Sequence, residues 1–393
     1  MRSAVVVGAG IGGLAAAGAL ARTGWRVTLL EQGDRLRAEP TALLLWPGGV
    51  RALRALQLDA GLDAIATAVP DHGVRRPDGQ WLVQPRASTR WGPPLVVHAQ
   101  DLHDALVAGL GEQVEVRTGV QVRRTVAGAD RPGVSDGRTT WEADLVVVAD
   151  GVDSTVRATV APTATVTSAG ATAWRAVIPW YRALRLLADL PPEMVIGGQT
   201  YGGDGYQFFT ALLGERTATG TSGRGGVYWC ATAPGAPRPE PRATQLALLR
   251  RWFEDWHSPI GALLDATEPE DLVQQELRTL RPEPHRYGIP AGTGGFVLLG
   301  DAGHAIADVL GPGACLALED AATLVAVARD ATPGPELAAA IASYDRLRRP
   351  RVAQVRRSTD RLGGRSRLAG FGLVQARRRD QAAAVAAAWE PPE

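Results

Sequence analysis

Short apolar runs alternate with longer alanine- and leucine-rich segments along much of the chain. Each short run has four to six residues and leads into glycines or an acidic residue, a pattern typical of buried strands. Strands that alternate with helices favour an α/β fold built on a parallel sheet. We predict buried strands at 4–7, 25–30, 145–148 and 296–299 and helices at 14–23 and 314–329.

A different pattern occupies residues 161–280, where aromatic side chains cluster and apolar positions recur with a period near two at 205–213 and 226–231. This periodicity predicts antiparallel strands in a second sheet, and 77–80 has the composition of a hairpin turn. The aromatic residues of this sheet could line an apolar pocket. For any single one of them, a place in the core of the sheet is the commoner role.

Two helices are predicted outside these regions. Asp101 is expected to cap a helix over 102–110, and residues 336–361 are expected to form one long helix. The long helix contains an arginine-rich run at 344–351. We interpret this run as a solvated face with contacts to acids one turn away, rather than as a site for an anionic partner.

The composition is that of a soluble globular protein. At 393 residues the chain exceeds one typical domain of roughly 100–200 residues, so two intertwined domains are expected. All 42 basic residues are arginine, and the net charge of +1 gives no reason to expect nucleic acid as a partner. Cys230 and Cys315 form no metal or disulfide pattern, which fits a reducing cytoplasm. No apolar stretch approaches the roughly 18–20 residues of a membrane span, so stable membrane insertion is not expected.

The first predicted strand and helix enclose the sequence GAGIGG, which has the pattern G-x-G-x-x-G. Gly8 is expected to form the tight turn, Gly10 to let a pyrophosphate approach the backbone, and Gly13 to let the helix pack closely on the strand. The helix N-terminus would offer N–H groups to phosphates. Glu31, at the end of the second strand, would accept hydrogen bonds from ribose hydroxyls. Together these features predict a dinucleotide-binding unit.

Two further predicted strands end in an acid beside a glycine. Asp150 precedes Gly151, and Asp301 follows Gly300. Asp301 is expected to hydrogen-bond a ligand at the carboxyl edge of the sheet. Ser154 is the predicted cap of a short helix in which Arg157 either holds Asp150 or a phosphate, or is an ordinary surface residue.

The order and spacing of these three motifs resemble those of the single-component FAD-dependent aromatic hydroxylases, the flavoprotein monooxygenases of the p-hydroxybenzoate hydroxylase type. The resemblance covers nearly the whole chain and includes 173–179 at the start of the second sheet. It implies an α/β fold: a Rossmann-like FAD-binding domain, an inserted antiparallel β-sheet substrate domain and a long C-terminal helix. The implied domains are 1–73, 99–160 and 286–335 for FAD, 74–98 and 161–285 for the substrate, and 336–393 for the C-terminal helical segment.

The resemblance also implies the cofactors and the residues that hold them. FAD would be bound and NAD(P)H would be the co-substrate, with O2 as oxidant and an aromatic or polycyclic small molecule, such as a secondary metabolite, as substrate. The protein would be a cytoplasmic monomer or homodimer without a metal. Asp301 would bind the ribityl chain, while Gly311 and Gly313 would bring N–H groups near the flavin pyrimidine edge. The implied FAD-binding residues are Gly8, Gly10, Ile11, Gly12, Gly13, Glu31, Gln32, Arg37, Gln100, Val122, Asp150, Arg157, Asp301, Gly311, Gly313 and Ala314.

Three positions depart from the pattern of this family. Ala99 stands where many members have arginine, for which Gln100 is a possible substitute, and the segment 40–42 is Pro-Thr-Ala instead of Gly-Ala-Gly. Asp308 stands at the usual proline position. A carboxyl group beside an apolar pocket can have a raised pKa and act as an acid or base. Asp308 therefore supports an alternative hypothesis, a non-redox cyclase, isomerase or dehydratase in which flavin is structural or lost. A solvated loop carboxylate is the commoner outcome.

Overall fold

The computed structural model describes residues 1–69, 73–84, 92–127, 130–188, 197–202, 205–214, 224–307, 311–363 and 384–392 of the chain. The strands fall into four sheets. In chain order they are β1 (Ser3–Val7), β2 (Arg26–Leu30), β3 (Ala42–Leu45), β4 (Ala66–Ala68), β5 (Val74–Arg75), β6 (Trp81–Val83), β7 (Leu95–His98), β8 (Val114–Arg117), β9 (Arg124–Ala127), β10 (Pro132–Ser135), β11 (Thr140–Glu142), β12 (Leu145–Val148), β13 (Val166–Pro179), β14 (Gly198–Tyr201), β15 (Gln207–Leu213), β16 (Gly226–Pro234), β17 (Val273–Leu280), β18 (Gly288–Ala291) and β19 (Gly294–Leu298).

The helices pack against the faces of these sheets, and none in the described ranges is long and apolar enough to cross a membrane. A short 3-10 helix covers Pro269–Asp271. The α-helices are α1 (Ile11–Arg22), α2 (Pro47–Ala55), α3 (Leu62–Ile65), α4 (Ala99–Ala108), α5 (Thr155–Val160), α6 (Trp180–Ala188), α7 (Arg242–Trp252), α8 (Ile260–Asp265), α9 (Asp301–His304), α10 (Pro312–Ala328) and α11 (Pro335–Gly363).

The largest core surrounds a six-stranded sheet with the order β18-β19-β12-β1-β2-β8. All its pairings are parallel except that of β18 with β19. Strands β12 and β19 are buried along their whole length, which explains their continuous apolar sequences. Leu14 of α1 and Leu318 of α10 belong to the core on one face of this sheet. The predicted α/β fold with a Rossmann-type domain is confirmed, whereas the predicted domain boundaries stay a prediction.

The second large sheet has the order β17-β13-β16-β15-β14-β5-β6 and is antiparallel except between β14 and β5. Alternate side chains on its strands face opposite sides. Trp174 and Trp229 belong to a core that includes α7 and α8, and their indole N–H groups donate to Gln245 and Thr267, both at 2.9 Å. These tryptophans are core residues, as expected for most of the cluster. Tyr228 belongs to the core on the other face of the sheet.

The interpretation of the arginine-rich run as a solvated face is wrong for two of its members. Arg348 is 1% exposed, and its guanidinium bonds to Asp320 at 2.6 Å and to Glu319 at 3.1 Å. Arg351 bonds to Glu319 at 2.7 Å and also donates to the Val385 carbonyl at 2.7 Å. The run therefore pairs with acids of α10, and Arg351 also bonds to the C-terminal segment.

The expectation that Asp101 caps its helix is also wrong. Helix α4 begins at Ala99, directly after the last residue of β7, and its N-cap is His98, whose Nδ1 accepts from the Gln100 N–H at 3.2 Å. Asp101 lies in the first turn instead, where its carboxylate accepts from the Arg224 backbone N–H at 2.8 Å and pairs with the Arg224 guanidinium. An acid is favourable both at a cap and in the first turn, so composition alone does not separate the two.

Candidate cofactor and active site

The carboxyl ends of β19, β12, β1 and β2 form one edge of the six-stranded sheet, because these neighbours are parallel. Val148 pairs with both Val7 and Leu298, and Val7 also pairs with Leu30. The residues that follow these strand ends therefore lie side by side. They are Gly8, Glu31, Asp150 and Asp301.

The turn between β1 and α1 has the close packing that its glycines predict. A methyl group on Gly8 would lie 2.3 Å from the Ala149 carbonyl oxygen, and one on Gly13 would lie 2.0 Å from the Gly8 carbonyl oxygen. Gly10 is the N-cap of α1, and a methyl group there would meet no atom of the described residues within 4 Å. The N-terminus of this helix thus faces open space, as a site for a phosphate requires.

Glu31 links this turn to the end of β2. Its Oε2 accepts from the Ala9 N–H at 2.8 Å, and its Oε1 accepts from the Gly33 N–H at 2.7 Å. These bonds hold a carboxylate beside the G-x-G-x-x-G turn, where ribose hydroxyls would reach it in the expected binding mode.

The Asp150 turn is tied to α5 and to the Asp301 turn. Asp150 Oδ2 accepts from the Thr155 N–H at 3.1 Å, and burial raises the pKa of this carboxyl group. Asp150 Oδ1 is buried and has no partner among the described residues. Ser154 is the cap, as predicted, and accepts from the Arg157 N–H at 2.9 Å.

Arg157 is 4% exposed, so the surface interpretation of this residue is wrong. Its guanidinium donates to the carbonyls of Val152 at 2.7 Å and Ala302 at 3.2 Å. It therefore joins two turns through their backbone rather than through an ion pair with the acid of either one.

Asp301 lies between β19 and the N-terminus of α10. A methyl group on Gly313 would be 3.5 Å from Asp301 Oδ1, so the first turn of α10 is adjacent to this carboxylate. Desolvation by the surrounding protein raises the pKa of Asp301, and the charges of His304, Arg278 and Arg157 oppose that shift. Asp301 is exposed, so a ligand can reach its carboxylate. The Asp301 carboxylate and the N-terminus of the 17-residue helix α10, which begins at Pro312 after Gly311, thus lie next to each other.

The remaining predicted cofactor residues differ in what they can offer. Gln32 and Arg37 are exposed, Ile11 and Ala314 are partly buried, and the Val122 side chain is buried, so Val122 can offer backbone atoms only. The Gln100 amide accepts from the Ala38 N–H at 2.8 Å and donates to Asp104 at 2.6 Å. The predicted role of Gln100 in place of an arginine stays a prediction, and both ends of its amide already hold protein groups.

Two of the departures lie in the described part of the chain. Ala99 is buried, and its N–H donates to the Thr41 carbonyl at 2.8 Å, which joins the helix α4 to the segment before β3. Asp308 lies outside the described residues, so its predicted acid or base role is not addressed by any contact.

Arg175 lies within the segment 173–179, for which the sequence alone predicts no individual side-chain role. It lies on the face of β13 opposite the Trp174 core, where its Nη1 donates to Gln275. Tyr228 and Cys230 of the neighbouring strand β16 face the same side, and burial raises the pKa of both. The period-two pattern of the sequence indicates that these side chains share one face of the sheet, but it does not indicate which face is turned toward the first sheet.

A cavity of about 480 Å³ opens at the C-terminal end of β13. Apolar groups of Pro40, Val177 and Trp180 line it together with His98 and Arg224. Its volume lies in the range of small-molecule sites, roughly 300–1,000 Å³. We therefore take it as the candidate substrate cavity.

The seven-stranded sheet meets the cofactor edge through β17. The Leu280 N–H and the Thr279 hydroxyl both donate to the Ala305 carbonyl, each at 3.1 Å. Arg278 forms a two-bond pair with Asp153 at 2.7 and 3.0 Å. Strand β17 of the second sheet therefore contacts both the turn that carries Asp301 and the turn that carries Asp150.

The comparisons with known proteins agree with this geometry. Residues 1–181 match a family model described as an FAD binding domain. The chain is 30% identical over 378 residues to aurachin C monooxygenase/isomerase from Stigmatella aurantiaca, a match that covers 94% of this chain and 89% of that protein. It is 31% identical over 364 residues to 3-amino-4-hydroxybenzoate 2-monooxygenase from Streptomyces cremeus, covering 91% and 86% of the two chains. The crystal structure of HpxO from Klebsiella pneumoniae with FAD and uric acid superposes with a TM-score of 0.77 at 26% identity, covering 97% and 92%.

The chain therefore belongs to the family of FAD-dependent hydroxylases and monooxygenases, enzymes that act on aromatic substrates. The residues at the sheet edge fit FAD. The turn at Gly8–Gly13 leaves a helix N-terminus open to a pyrophosphate, and Asp150 has a buried oxygen that bonds to no group in the described part of the chain.

Proposed function

We propose that this protein uses NAD(P)H, O2 and bound FAD to hydroxylate, epoxidise or insert oxygen into an aromatic or polycyclic small molecule, such as an intermediate of secondary metabolism. The observation that carries the proposal is the meeting of three turns, at Gly8, Asp150 and Asp301, at one sheet edge next to the second sheet. In the overall reaction, substrate, NAD(P)H, a proton and O2 give oxygenated substrate, NAD(P)+ and water.

The chain's own residues bind and orient the cofactor. The N–H groups at the start of α1 bind the pyrophosphate, and Glu31 accepts from the ribose hydroxyls. Asp301 accepts from the ribityl hydroxyls, while Gly311 and Gly313 offer N–H groups to the pyrimidine edge. When bound, FAD supplies the redox chemistry, which is acceptance of a hydride from NAD(P)H and activation of O2.

The second sheet positions the substrate and excludes water. The substrate ring occupies the cavity beside Val177, and the apolar residues of its walls keep water from the reacting carbon. Polar groups of the substrate turn toward Arg224 and His98, which line the same cavity. The substrates in the names of the relatives, an aminohydroxybenzoate among them, are of a size and aromatic character that suit this cavity.

A visible absorption spectrum of the purified protein, recorded before and after anaerobic addition of NADPH, tests the proposal without a known substrate. We expect flavin absorbance that is bleached by NADPH or by NADH. Oxygen uptake with a panel of phenols, quinolones and aminohydroxybenzoates then tests the oxygenation. A protein that binds no flavin when reconstituted, or whose bound flavin neither nucleotide reduces, would contradict the proposal.

A second candidate is the non-redox isomerase, cyclase or dehydratase. One observation favours keeping it: the relative from Stigmatella aurantiaca carries both monooxygenase and isomerase in its name. The two candidates differ in oxygen consumption, because an isomerase converts its substrate without uptake of O2. Asp308→Asn tests this second candidate, because unchanged substrate conversion by the variant would contradict the acid or base role predicted for Asp308.

A further inference from the structure

The short helix α9, which begins with Asp301, depends on contacts from other elements. It has four residues, a length at which an isolated helix does not persist in water. Inside it, the N–H groups of Gly303 and His304 donate to the Gly300 carbonyl, both at 2.9 Å. The position of Asp301 is thus set by whatever fixes the two ends of this turn.

Asp320, in the middle of α10, bonds to both ends. Its Oδ2 accepts from the Gly300 N–H at 2.8 Å and lies 2.6 Å from His304 Nε2. Its Oδ1 accepts from Arg348 Nε at 2.6 Å. Asp320 is 0% exposed, so no water competes for these bonds. Because Gly300 directly precedes Asp301, the Asp320 carboxylate fixes the peptide that leads to the cofactor ligand.

We propose that Asp320 is a positioning residue of the flavin site, which clamps the turn 300–304 so that the Asp301 carboxylate is held toward the ribityl chain. This inference rests on the FAD-binding part of the proposed function and adds a residue that does not touch the cofactor. A displacement of a site residue by about 1 Å is enough to lower its contribution strongly.

The neighbouring Glu319 separates positioning from general stabilisation. Glu319 is also 0% exposed and lies on the same helix. Among the described residues its carboxylate bonds to Arg348 at 3.1 Å and to Arg351 at 2.7 Å, rather than to the turn 300–304. Replacing either acid by its amide disturbs the buried ion pairs with Arg348, but of the two acids only Asp320 bonds to Gly300.

The test compares FAD with ADP as ligands of the apoprotein, measured by calorimetric titration. ADP uses the G-x-G-x-x-G turn and Glu31, whereas FAD also uses Asp301. For Asp320→Asn we expect FAD affinity to fall roughly tenfold to a hundredfold, the range for loss of a hydrogen bond to a charged group. We expect ADP affinity to stay within about twofold of wild type. Glu319→Gln should lower stability to a similar degree and leave the FAD-to-ADP affinity ratio unchanged.

A double-variant cycle adds a readout that a purely structural role would not change. In an Asp301→Ala background, Asp320→Asn should have no further effect on FAD affinity, because the group it positions is gone. If Asp320→Asn does not fold, Asp320→Glu carries the test, since it keeps a charge for Arg348 but moves the carboxylate away from Gly300.

The possible outcomes distinguish the positioning role of Asp320 from the proposed function, which requires FAD binding. A folded Asp320 variant with a wild-type FAD-to-ADP affinity ratio overturns the positioning role, as does an additive effect in the Asp301→Ala background. A wild-type protein that binds ADP but gains nothing from the flavin half contradicts the proposed function itself. A selective loss for FAD in the Asp320 variants, absent from Glu319→Gln, supports the positioning role.

Discussion

Arg157 donates a hydrogen bond of 3.2 Å to the carbonyl oxygen of Ala302 and so connects the turns that carry Asp150 and Asp301. The two residues are far apart in sequence, and the link runs from a buried guanidinium to a backbone carbonyl. Because Arg157 also donates to the Val152 carbonyl at 2.7 Å and to the Gly151 carbonyl at 3.5 Å, one side chain fixes the spacing between two strand ends. A cofactor that spans these turns depends on that spacing.

The first prediction concerns this link. Arg157→Met should lower the free energy of unfolding by about 2–4 kcal/mol, because the buried Ala302 carbonyl and the partly buried Val152 carbonyl lose a donor. It should also weaken FAD binding. Denaturant unfolding of the apoprotein and FAD titration measure the two effects.

The matched control is Arg278→Met. Arg278 forms a two-bond pair with Asp153, but the Asp153 side chain is 71% exposed. Exposed pairs contribute about 1 kcal/mol or less. Equal losses of stability in the two variants would contradict the importance of the buried link.

Local chemistry made the cofactor edge predictable from the sequence. Gly13 lies in tight contact with the Gly8 carbonyl. This contact follows from a strand, a glycine pattern and a helix, and all three lie within one short stretch of sequence. Ser154 was predicted as a cap for the same reason, because a cap bonds to an N–H three residues away.

Contacts between distant segments were not predictable in the same way. The sequence showed arginines in α11 and two adjacent acids, Glu319 and Asp320, inside an apolar helix, and such acids need partners when buried. Nothing local said that Arg348 would be the partner, since this depends on how the two helices pack. Asp101 was misassigned for a similar reason, because its partner Arg224 is 123 positions away.

The second prediction separates folding from cofactor binding within the G-x-G-x-x-G turn. Gly10 has φ −70°, and a methyl group there would lie more than 4 Å from every atom in the described ranges, so Gly10→Ala should change stability by less than about 0.5 kcal/mol. The methyl group would project toward the open space proposed for the pyrophosphate and should weaken FAD binding. Thermal unfolding of the apoprotein and FAD titration check both expectations.

Gly13→Ala is the contrasting variant. Its methyl group would overlap the Gly8 carbonyl oxygen at 2.0 Å, so α1 has to move away from β1. We expect a loss of about 1–3 kcal/mol or more in stability as well as loss of FAD. The proposed route of the pyrophosphate would be wrong if Gly10→Ala bound FAD as tightly as wild type.

The third prediction concerns the candidate substrate cavity. Val177→Phe adds volume to a wall of this cavity, so it should raise the KM for the aromatic substrate severalfold. Flavin content and anaerobic reduction by NAD(P)H should stay close to wild type, because Val177 is not part of the cofactor edge. Leu212→Phe on β15 is the control, since that side chain is 38% exposed and outside the cavity lining. A KM that does not respond to Val177→Phe would place the substrate elsewhere.

The last prediction is a pH dependence that comes from Asp320. Burial alone would raise the pKa of Asp320, but the charges of His304 and Arg348 and the Gly300 N–H hold it at about 2. The carboxyl group of an unfolded chain titrates near 3.9, so the native state favours the ionised form. A group whose native pKa is depressed stabilises the fold above the unfolded pKa and loses that contribution as the pH falls toward the native pKa. The contribution, roughly 2 kcal/mol by linkage, should therefore be complete at pH 5 and decline between about pH 4 and pH 2.

Denaturant unfolding of wild type and Asp320→Asn at pH 7, 5, 4 and 3 measures this contribution, and the difference in unfolding free energy between the two proteins should narrow below pH 4. Asp136→Asn is the control, because the pKa of Asp136 is also lowered, by the N–H groups of Thr139 and Arg138, but at a partly exposed turn position where its removal should matter little. A difference between wild type and Asp320→Asn that stays constant from pH 7 to pH 3 would show that the two proteins bind protons alike, and the ionised Asp320 would then not be what holds the turn at Gly300.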